Sequence, residues 1–452
     1  MKETKTTVPH ISLIKNLVNL GKFVDNPALY FKDVLDRNNG LAIMSLPYGG
    51  VLLTDRPEIM QHVLQKNNKN YTKTRVVSEL LKKQLGNGLL TSEGEYWLKQ
   101  RRAIQPGFHR KRLEGISTIM VAEINKYLDE VFDVYAETGK EVDIAKEMTE
   151  LAFKIVSKSL FGTEVEDDKL EVIEEIVSQS QQFLVDQVRK PMLKPWFHIS
   201  GAYKRNEAIK AQGDALIMEI IKERLASTEE HSDLLDMLIQ TRYEDGSGMT
   251  DQQLLEEAVI LYVAGHETSA NAMAWMWYLL AIHPEIEEKV LQSVDESIGD
   301  QDPSFEKLRD LGYCLQVVEE TMRLYPPAWV IDRKPLADDE FEGIPIKKEN
   351  DVLCFIYGVH RSKRYWEDPE TFDPERFTAE NKAKQVPFSY MPFGGGPRLC
   401  IGNNFALMEM QFVLAMMIKR YRFKVVENQE IDINPMITLR PRHGIKVIVK
   451  KR

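Results

Sequence analysis

The feature that most constrains this chain is a glycine-rich loop at residues 393–402, which reads FGGGPRLCIG. Cys400 lies in this loop near Arg398, and apolar residues at helical spacing, such as Met408 and Phe412, predict that a helix follows. Amides at a helix start, aimed back toward the sulfur, and a nearby cation favour the thiolate form of cysteine, which is the form that binds metals. Glycines lack a Cβ atom, so the backbone can turn tightly or lie against a flat macrocycle. The loop therefore suits a thiolate ligand to heme iron.

The pattern Phe-x-x-Gly-x-Arg-x-Cys-x-Gly resembles the heme-binding signature of the cytochrome P450 family, and the chain meets each fixed position. The resemblance implies that the cofactor is heme b (iron protoporphyrin IX) and that Cys400 is its iron ligand. It also implies that Phe393 and Gly402 lie in the cofactor site. Arg398 would pair with a heme propionate, because a guanidinium group matches the geometry of a carboxylate.

A second motif, AGHET at residues 264–268, lies inside an apolar segment that predicts one helix over about 251–282. Ala264 and Thr268 fall on the same face of such a helix. The Thr268 hydroxyl can return to the Ala264 carbonyl, or it can turn toward a ligand in a groove where the helical ladder opens. The motif resembles the central-helix motif of the same family. That resemblance implies that Ala264 contacts the heme and that Thr268 and Glu267 are the catalytic pair that delivers protons to dioxygen.

Two further motifs predict a structural ion-pair network. Glu320 and Arg323 stand three residues apart, a spacing that allows pairing on one helix face. The segment DPERF at 373–377 follows about fifty residues later and contains Arg376. Together these segments resemble the buried charge network of the family. We assign Glu320, Arg323 and Arg376 to structure, because a buried ionic triad specifies geometry more reliably than it adds stability.

Other residues are candidates for the heme propionates. Trp97 and Arg101 lie one helical turn apart and can together meet one anionic group, as the Trp-x-x-x-Arg pattern of the family does. Arg333 stands where family members often supply another propionate contact. His266 and His109 are alternative iron ligands by residue type alone, but the complete cysteine loop argues against both.

Composition agrees with a large globular enzyme. The chain has 452 residues, 43% of them hydrophobic and 28% charged. A formal net charge of -10 argues against a nucleic-acid partner for the chain as a whole. Cys314, Cys354 and Cys400 lie far apart without a C-x-x-C pair, which excludes a disulfide framework and a compact zinc site.

We expect a mainly α fold with small β-sheets, of the α+β class, with the heme between a long central helix and the helix of the cysteine loop. The whole chain would form a single heme domain. Its β-rich lobe would comprise mainly 30–70, 335–360 and 421–452, and its helical lobe the rest. Residues 41–54 predict a hairpin around Pro47 and Gly49-Gly50.

The N-terminal segment indicates no membrane anchor and no signal peptide. Most of its first ten residues are polar or charged, and the apolar positions that follow are interrupted by Lys15, Asn16 and Asn19. The chain therefore resembles the soluble, bacterial-type members of the family. We expect a cytoplasmic monomer.

The resemblance implies a monooxygenase that hydroxylates or oxidatively O-demethylates a small organic molecule with dioxygen as cosubstrate. About 52 residues follow Cys400, too few for a fused reductase, so a ferredoxin or flavodoxin and its reductase would supply electrons from NAD(P)H. A basic segment could steer that partner: Lys99, Arg102, Arg110, Lys111 and Arg112. Two alternatives stay open: a peroxide-driven peroxygenase or isomerase, and a non-catalytic heme sensor. The acid and alcohol pair in the central helix argues against both.

The layout of the family places several residues in the substrate pocket: Leu90, Val263, Ala264, Ala328, Trp329, Val330 and Ile437. Most are apolar, which suits a hydrocarbon, whereas Trp329 could stack on a ring or a sugar face. A fatty acid, a terpenoid and a methoxylated compound such as a methylated sugar remain equally compatible with this set.

Overall fold

The computed structural model describes residues 8–46, 49–162, 165–189, 193–229, 231 and 233–452, except for the side chains at 167, 188 and 189. The chain forms two compact units. The first, here called the β-rich unit, consists of the described parts of 1–74, 315–400 and 430–443. The second, the helical unit, consists of the described parts of 75–314, 401–429 and 444–452.

Helices make up most of the described chain. In chain order the α-helices are α1 (Leu13–Val18), α2 (Leu20–Asp25), α3 (Pro27–Arg37), α4 (Pro57–Gln61), α5 (Lys82–Leu85), α6 (Gly94–Ile104), α7 (Arg110–Tyr127), α8 (Asp133–Thr138), α9 (Ile144–Phe161), α10 (Asp167–Arg189), α11 (Lys194–Ile199), α12 (Ala202–Ala226), α13 (Leu234–Gln240), α14 (Asp251–Ile282), α15 (Pro284–Ile298), α16 (Gly312–Leu324), α17 (Ile356–His360), α18 (Ala379–Lys382) and α19 (Asn403–Arg420).

The strands are short. They are β1 (His10–Ile11), β2 (Leu41–Leu46), β3 (Gly49–Thr54), β4 (Tyr71–Thr72), β5 (Glu141–Asp143), β6 (Ile331–Pro335), β7 (Asp339–Phe341), β8 (Ile344–Ile346), β9 (Asp351–Cys354), β10 (Tyr421–Val425), β11 (Ile433–Pro435), β12 (Leu439–Pro441) and β13 (Lys446–Lys451). The mainly α composition with small sheets is the one expected from the sequence.

The β-rich unit is built around a six-stranded sheet with the order β1-β2-β3-β9-β6-β4. The expected hairpin is present: β2 and β3 pair antiparallel from Leu41 opposite Thr54 to Leu46 opposite Gly49. Of the expected turn residues, Pro47 lies outside the described residues, whereas Gly49 and Gly50 are the first residues of β3 and pair with β2. A buried apolar cluster, which includes Leu52 and Val352 of neighbouring strands, packs beside this sheet.

The helical unit contains the central helix α14, whose boundaries agree with the sequence prediction. Thr250 and Gln253 form a reciprocal capping box at its start, and His283 ends it directly before Pro284. Helix α9 packs along it. A Cβ atom at Gly265 would lie 2.8 Å from Cγ2 of Val156, so the glycine permits the two helices to approach closely.

The C-terminal strands divide between the two units, which differs from the expected lobes. The sequence assigns all of 421–452 to the β-rich lobe, but β10, β13 and β5 form a three-stranded sheet in the helical unit. The reason is long-range pairing: Val447 lies opposite Val142 on β5, directly before α9. Among the described residues, no helix is both long and apolar enough to cross a membrane.

Candidate active site

The cysteine loop belongs to the β-rich unit up to Cys400. Two of its glycines have positive φ, +75° at Gly394 and +67° at Gly396. At Gly396 a side chain is also excluded by space, because a Cβ atom there would lie 2.0 Å from the carbonyl oxygen of Leu64. The Cys400 N–H donates to the carbonyl of Phe393 at 3.0 Å and closes the loop. Backbone geometry, rather than side-chain packing, therefore fixes the position of the thiol.

The three cysteines differ in their surroundings. Cys314 and Cys354 are fully buried, and burial raises the pKa of each thiol to about 12. Neither is a thiolate near neutral pH, so neither is suited to bind a metal. Cys400 is exposed. It is therefore the cysteine that the fold makes available as a ligand.

This donor set fits a heme better than it fits a bare metal ion. No group of three or more His, Cys, Asp or Glu side chains that could hold a metal ion occurs in the described part of the chain. Cys400 would therefore act as a single protein ligand. A lone thiolate suits an iron whose other ligands come from a macrocycle, as they do in heme-thiolate proteins.

The four candidate propionate partners are divided between the units. In the helical unit, Trp97 is buried and Arg101 is half-buried, one turn apart on α6, with Arg101 Nε 3.4 Å from Gln105 Oε1. In the β-rich unit, Arg333 lies on β6 and donates to the carbonyl of Asp332 at 2.7 Å. Arg398 is half-buried in the cysteine loop.

The central helix shows which of the two hydroxyl positions Thr268 adopts. Its hydroxyl donates to the carbonyl oxygen of Ala264 at 2.8 Å, and α14 runs without interruption from Asp251 to Ile282. The expected opening of the helical ladder is therefore not seen. Ala264 is exposed in the middle of a helix that is otherwise largely buried. The face that carries Ala264 and Thr268 is accordingly the open face of α14 within the helical unit.

The neighbours of Thr268 point into the protein. Glu267 is buried. His266 packs edge-on against Phe153, and its Nδ1 lies 2.9 Å from the carbonyl oxygen of Tyr262. His266 is thus a packing residue, in agreement with the argument that it is not an iron ligand. His109 is exposed directly before α7.

A buried carboxyl group, which the sequence analysis did not single out, lies beside this segment. Glu409 of α19 is completely buried, and neither of its oxygens has a hydrogen-bond partner among the described residues. Burial raises the pKa of Glu409 to about 8, although the neighbouring Ser269 hydroxyl lowers it. Glu409 is therefore a neutral carboxylic acid near pH 7, next to the residue that follows Thr268.

We predict that Glu409→Gln removes a pH-dependent loss of stability. In the unfolded chain this carboxyl ionises near pH 4.5, whereas in the folded protein it keeps its proton until about pH 8. The wild type should therefore lose stability relative to the variant as pH rises through that interval, by at most about 5 kcal/mol. The measurement is the unfolding transition at pH 5 and at pH 8. Parallel pH profiles would contradict the assignment, and the exposed Glu296→Gln serves as control.

The three residues assigned to structure do form a connected ion-pair network in the β-rich unit. Arg323 and Glu320 are completely buried, with Arg323 Nε 2.6 Å from Glu320 Oε2. Arg376 Nε lies 3.5 Å from Glu320 Oε1. Arg323 also donates to the carbonyls of His360, at 2.8 Å, and Pro369, at 2.7 Å. The guanidinium group thereby holds α16 to the segment that follows α17.

Glu320→Gln should destabilise the protein by about 3 to 5 kcal/mol, because it leaves the Arg323 charge buried without its counterion. Chemical denaturation of the variant measures this cost. Lys384→Ala breaks the exposed Lys384–Glu380 pair in the same unit and should cost less than about 0.5 kcal/mol. Equal effects of the two substitutions would show that the buried network has no special role.

The predicted pocket residues differ in their exposure, and they belong to different units of the structure. Leu90, Val263 and Ala264 lie in the helical unit, where Leu90 is exposed and Val263 lines a cavity. In the β-rich unit, Ala328 and Val330 are half-buried and Ile437 is exposed.

Trp329 has a different role from the one the sequence suggests. It is 6% exposed, it packs against Phe31 and Phe355, and its indole N–H donates to the carbonyl of Met436 at 2.9 Å. The ring is thus covered by packing, and its N–H group is hydrogen-bonded, within the β-rich unit. We therefore read Trp329 as a core residue and not as a stacking surface for a ring or a sugar.

The cavity lined by Val263 also contains residues that sequence reasoning missed. It lies in the helical unit, where α10, α12 and α14 converge, and its walls include Ser180 and Gln181 of α10. Nothing local marks these two residues, because a long helix carries many such polar side chains. Only the packing of three helices brings them to one cavity.

Comparison with known proteins agrees with this geometry. A family model described as Cytochrome P450 matches residues 8–449. The Putative cytochrome P450 132 of Mycobacterium tuberculosis is 30% identical over 416 residues, which cover 88% of this chain and 87% of that protein. Cyclooctat-9-en-7-ol 5-monooxygenase of Streptomyces melanosporofaciens is 29% identical over 403 residues, covering 88% of this chain and 85% of that one.

The structural likeness is equally extensive. The crystal structure of the cytochrome P450DA heme domain superposes with a TM-score of 0.89 at 23% identity, over 99% of this chain and 98% of that chain. At this identity the likeness establishes the fold. It confirms the mainly α fold with small sheets that the motifs predicted.

Proposed function

Because this chain belongs to the cytochrome P450 family and is a cytochrome P450 monooxygenase, we propose that it binds heme b through the thiolate of Cys400 and oxidises a small apolar molecule. The observation that carries the proposal is the cysteine loop. Its backbone fixes an exposed thiol, and the other two cysteines are buried with raised pKa values. Residues 1–452 would together form one heme domain.

The remaining cofactor contacts are proposed residue by residue from the family pattern. Arg398 and Arg333 of the β-rich unit, and Trp97 and Arg101 of the helical unit, would hold the two propionates. The positive charge of the guanidinium groups and the indole donor suit anionic oxygens. The other proposed contacts to the macrocycle are Phe393, Gly402 and Ala264.

The heme, when bound, supplies the site at which dioxygen is reduced and the substrate is oxidised. The role of the chain is to hold and deliver protons there. The Thr268 hydroxyl, whose proton is held by the Ala264 carbonyl, presents an oxygen lone pair on the open face of α14. Glu267 follows on the buried side and would pass protons to this region from solvent.

We predict that Thr268→Ala lowers product formation at least about tenfold, since a side chain positioned in a proton-transfer path typically contributes more than that factor. NAD(P)H consumption should continue, with electrons lost to hydrogen peroxide. Product and peroxide yields per NAD(P)H measure the effect. Thr268→Ser keeps the hydroxyl and is the matched control. If both variants retain full coupling, the proposed role of Thr268 is incorrect.

Two other functions compete with this one. A peroxygenase or isomerase would work with peroxide or an endoperoxide and without electron transfer, and a heme sensor would not turn over. The presence of Glu267 and Thr268 together on α14 supports the dioxygen-dependent reaction. Comparing turnover with dioxygen and a ferredoxin system against turnover with peroxide alone separates the three.

We propose that electrons come from NAD(P)H through a reductase and a ferredoxin or flavodoxin. The basic segment that could steer this partner is smaller than the sequence suggests. Lys99 Nζ lies 3.3 Å from Asp245, and Arg102 lies 3.2 Å from Glu244, so two of its cations face carboxylates. The positive charge that remains centres on residues 110–112 at the start of α7, where Arg110 and Lys111 are exposed.

Reversing the charges at Arg110 and Arg112 together should slow reduction by the ferredoxin about tenfold at low ionic strength, because steering raises association rates by at least that factor. The difference should shrink as salt is added. Stopped-flow reduction rates provide the test. Lys424→Glu reverses an exposed lysine elsewhere in the helical unit and should have no effect. Unchanged, salt-independent kinetics in the double variant would remove this surface from the proposal.

The substrate is proposed to be apolar, with hydroxylation or oxidative O-demethylation as its outcome. Val263 and the apolar walls of the cavity in the helical unit support a hydrocarbon body. The Streptomyces melanosporofaciens relative is a monooxygenase named for the alcohol cyclooctat-9-en-7-ol. This favours a terpenoid over a methylated sugar for the present chain.

A further inference from the structure

The cavity in the helical unit has an apolar body. Ile173 and Ile176 of α10, Ile217 of α12, and Val259 and Val263 of α14 are among its walls. Val263 directly precedes Ala264 in the sequence of α14. The cavity therefore reaches the same stretch of helix that carries Thr268.

Among the residues that the structure describes, two polar atoms in this apolar wall lack hydrogen-bond partners. Ser180 Oγ and Gln181 Nε2 are both buried, and neither has a hydrogen bond within the described residues. A buried donor without an acceptor costs about 1 to 3 kcal/mol, so native proteins seldom leave one unless a ligand or water completes it. The two atoms come from adjacent residues and line one cavity.

The other polar residues of the cavity are already engaged. Gln84 Oε1 accepts from Asn206 at 3.0 Å. The Lys210 ammonium is ion-paired with Asp214, one turn away on α12. Within the described lining the charges therefore cancel, and the hydrogen-bonding capacity left over is that of Ser180 and Gln181.

We propose that Ser180 and Gln181 bind a neutral oxygen group, an alcohol or a ketone, at one end of the hydrocarbon substrate of this enzyme. The inference rests on the proposed function and narrows its substrate class to hydrocarbons that already carry one neutral oxygen. The Gln181 amide donates to that oxygen, and the Ser180 hydroxyl either donates or accepts.

The charges in the cavity wall argue against a fatty acid, which is the main alternative ligand. A fatty-acid carboxylate needs a cation to offset its desolvation in an apolar cavity. The cation in this wall, Lys210, is neutralised by Asp214. A neutral oxygen makes the same hydrogen bonds without that cost. The site thus selects an alcohol or a ketone over the corresponding acid.

The size of the cavity fits one end of a molecule. Its volume is about 40 Å³, which is room for about three waters and far below the several hundred Å³ that enclose a whole ligand. Ordered water is the competing occupant. A water molecule would satisfy the two side chains equally well, and the test must distinguish it from a substrate group.

The test compares tetradecane, tetradecanol, a tetradecanone and tetradecanoic acid on the full-length, heme-loaded protein. Dissociation constants come from calorimetry and from the Soret shift. The decisive quantity is the ratio of oxygenated-ligand to hydrocarbon affinity. Gln181→Leu and Ser180→Ala should each lower this ratio about fivefold for the alcohol, which is the effect of losing one neutral hydrogen bond of about 1 kcal/mol. Gln182→Leu, an exposed change on the same helix, should leave the ratio unchanged.

Three results would overturn the inference: an unchanged ratio in Gln181→Leu, tighter binding of the acid than of the alcohol, or no binding of the neutral oxygenated ligands. If Gln181→Leu does not fold, Gln181→Met replaces it with a side chain of similar size. Calorimetric binding needs no catalysis. Loss of dioxygen-dependent turnover with the predicted affinity ratios would therefore contradict the proposed function and leave this site intact.

Discussion

The proposed sulfur ligand, Cys400 on a backbone-fixed loop, is the constraint on which the chemistry proposed for this protein depends. Gly396 permits the loop to pass within contact of the Leu64 carbonyl, and the Cys400 N–H closes it onto Phe393. No cluster of metal-ligating side chains accompanies Cys400 in the described residues. A lone thiolate suits an iron whose other ligands come from a macrocycle, which supports the proposed binding of heme through Cys400.

The central helix combines close packing contacts with the exposed position of Ala264 within one short stretch. Gly265 allows α9 to approach, and Glu409 of α19 remains neutral beside Ser269. Between them the Thr268 hydroxyl occupies the open face. These three features lie within one continuous helix and its immediate contacts, where the proposed proton delivery would take place. Ser180 and Gln181, the proposed contacts to the substrate, line a cavity against the same helix.

Local chemistry explains which features could be predicted from sequence. The limits of α14 were predictable because the pattern that forms it and Pro284 act within a few residues of each end. The Glu320–Arg323 pair was predictable for the same reason, since i and i+3 residues meet on one helix. The cysteine motif combines turn glycines and a ligand within ten residues, so its spacing alone identifies it.

The features that could not be predicted from the sequence depend on tertiary packing. The sequence contains Gly265, but Val156, the neighbour that leaves no room for a side chain there, is brought to it only by the packing of α9. Trp329 reads as a ligand-binding aromatic until Phe31, Phe355 and the Met436 carbonyl are seen to surround it. The assignment of β13 to the helical unit depends on β5, which lies some three hundred residues earlier.

The most direct test of the account is the optical spectrum of the reduced, heme-loaded protein with carbon monoxide. Ligation by the Cys400 sulfur predicts the strongly red-shifted Soret band that is characteristic of a thiolate opposite carbon monoxide, and its loss in Cys400→Ser. A folded, heme-loaded wild-type protein without that band would contradict the assignment of Cys400 as the iron ligand.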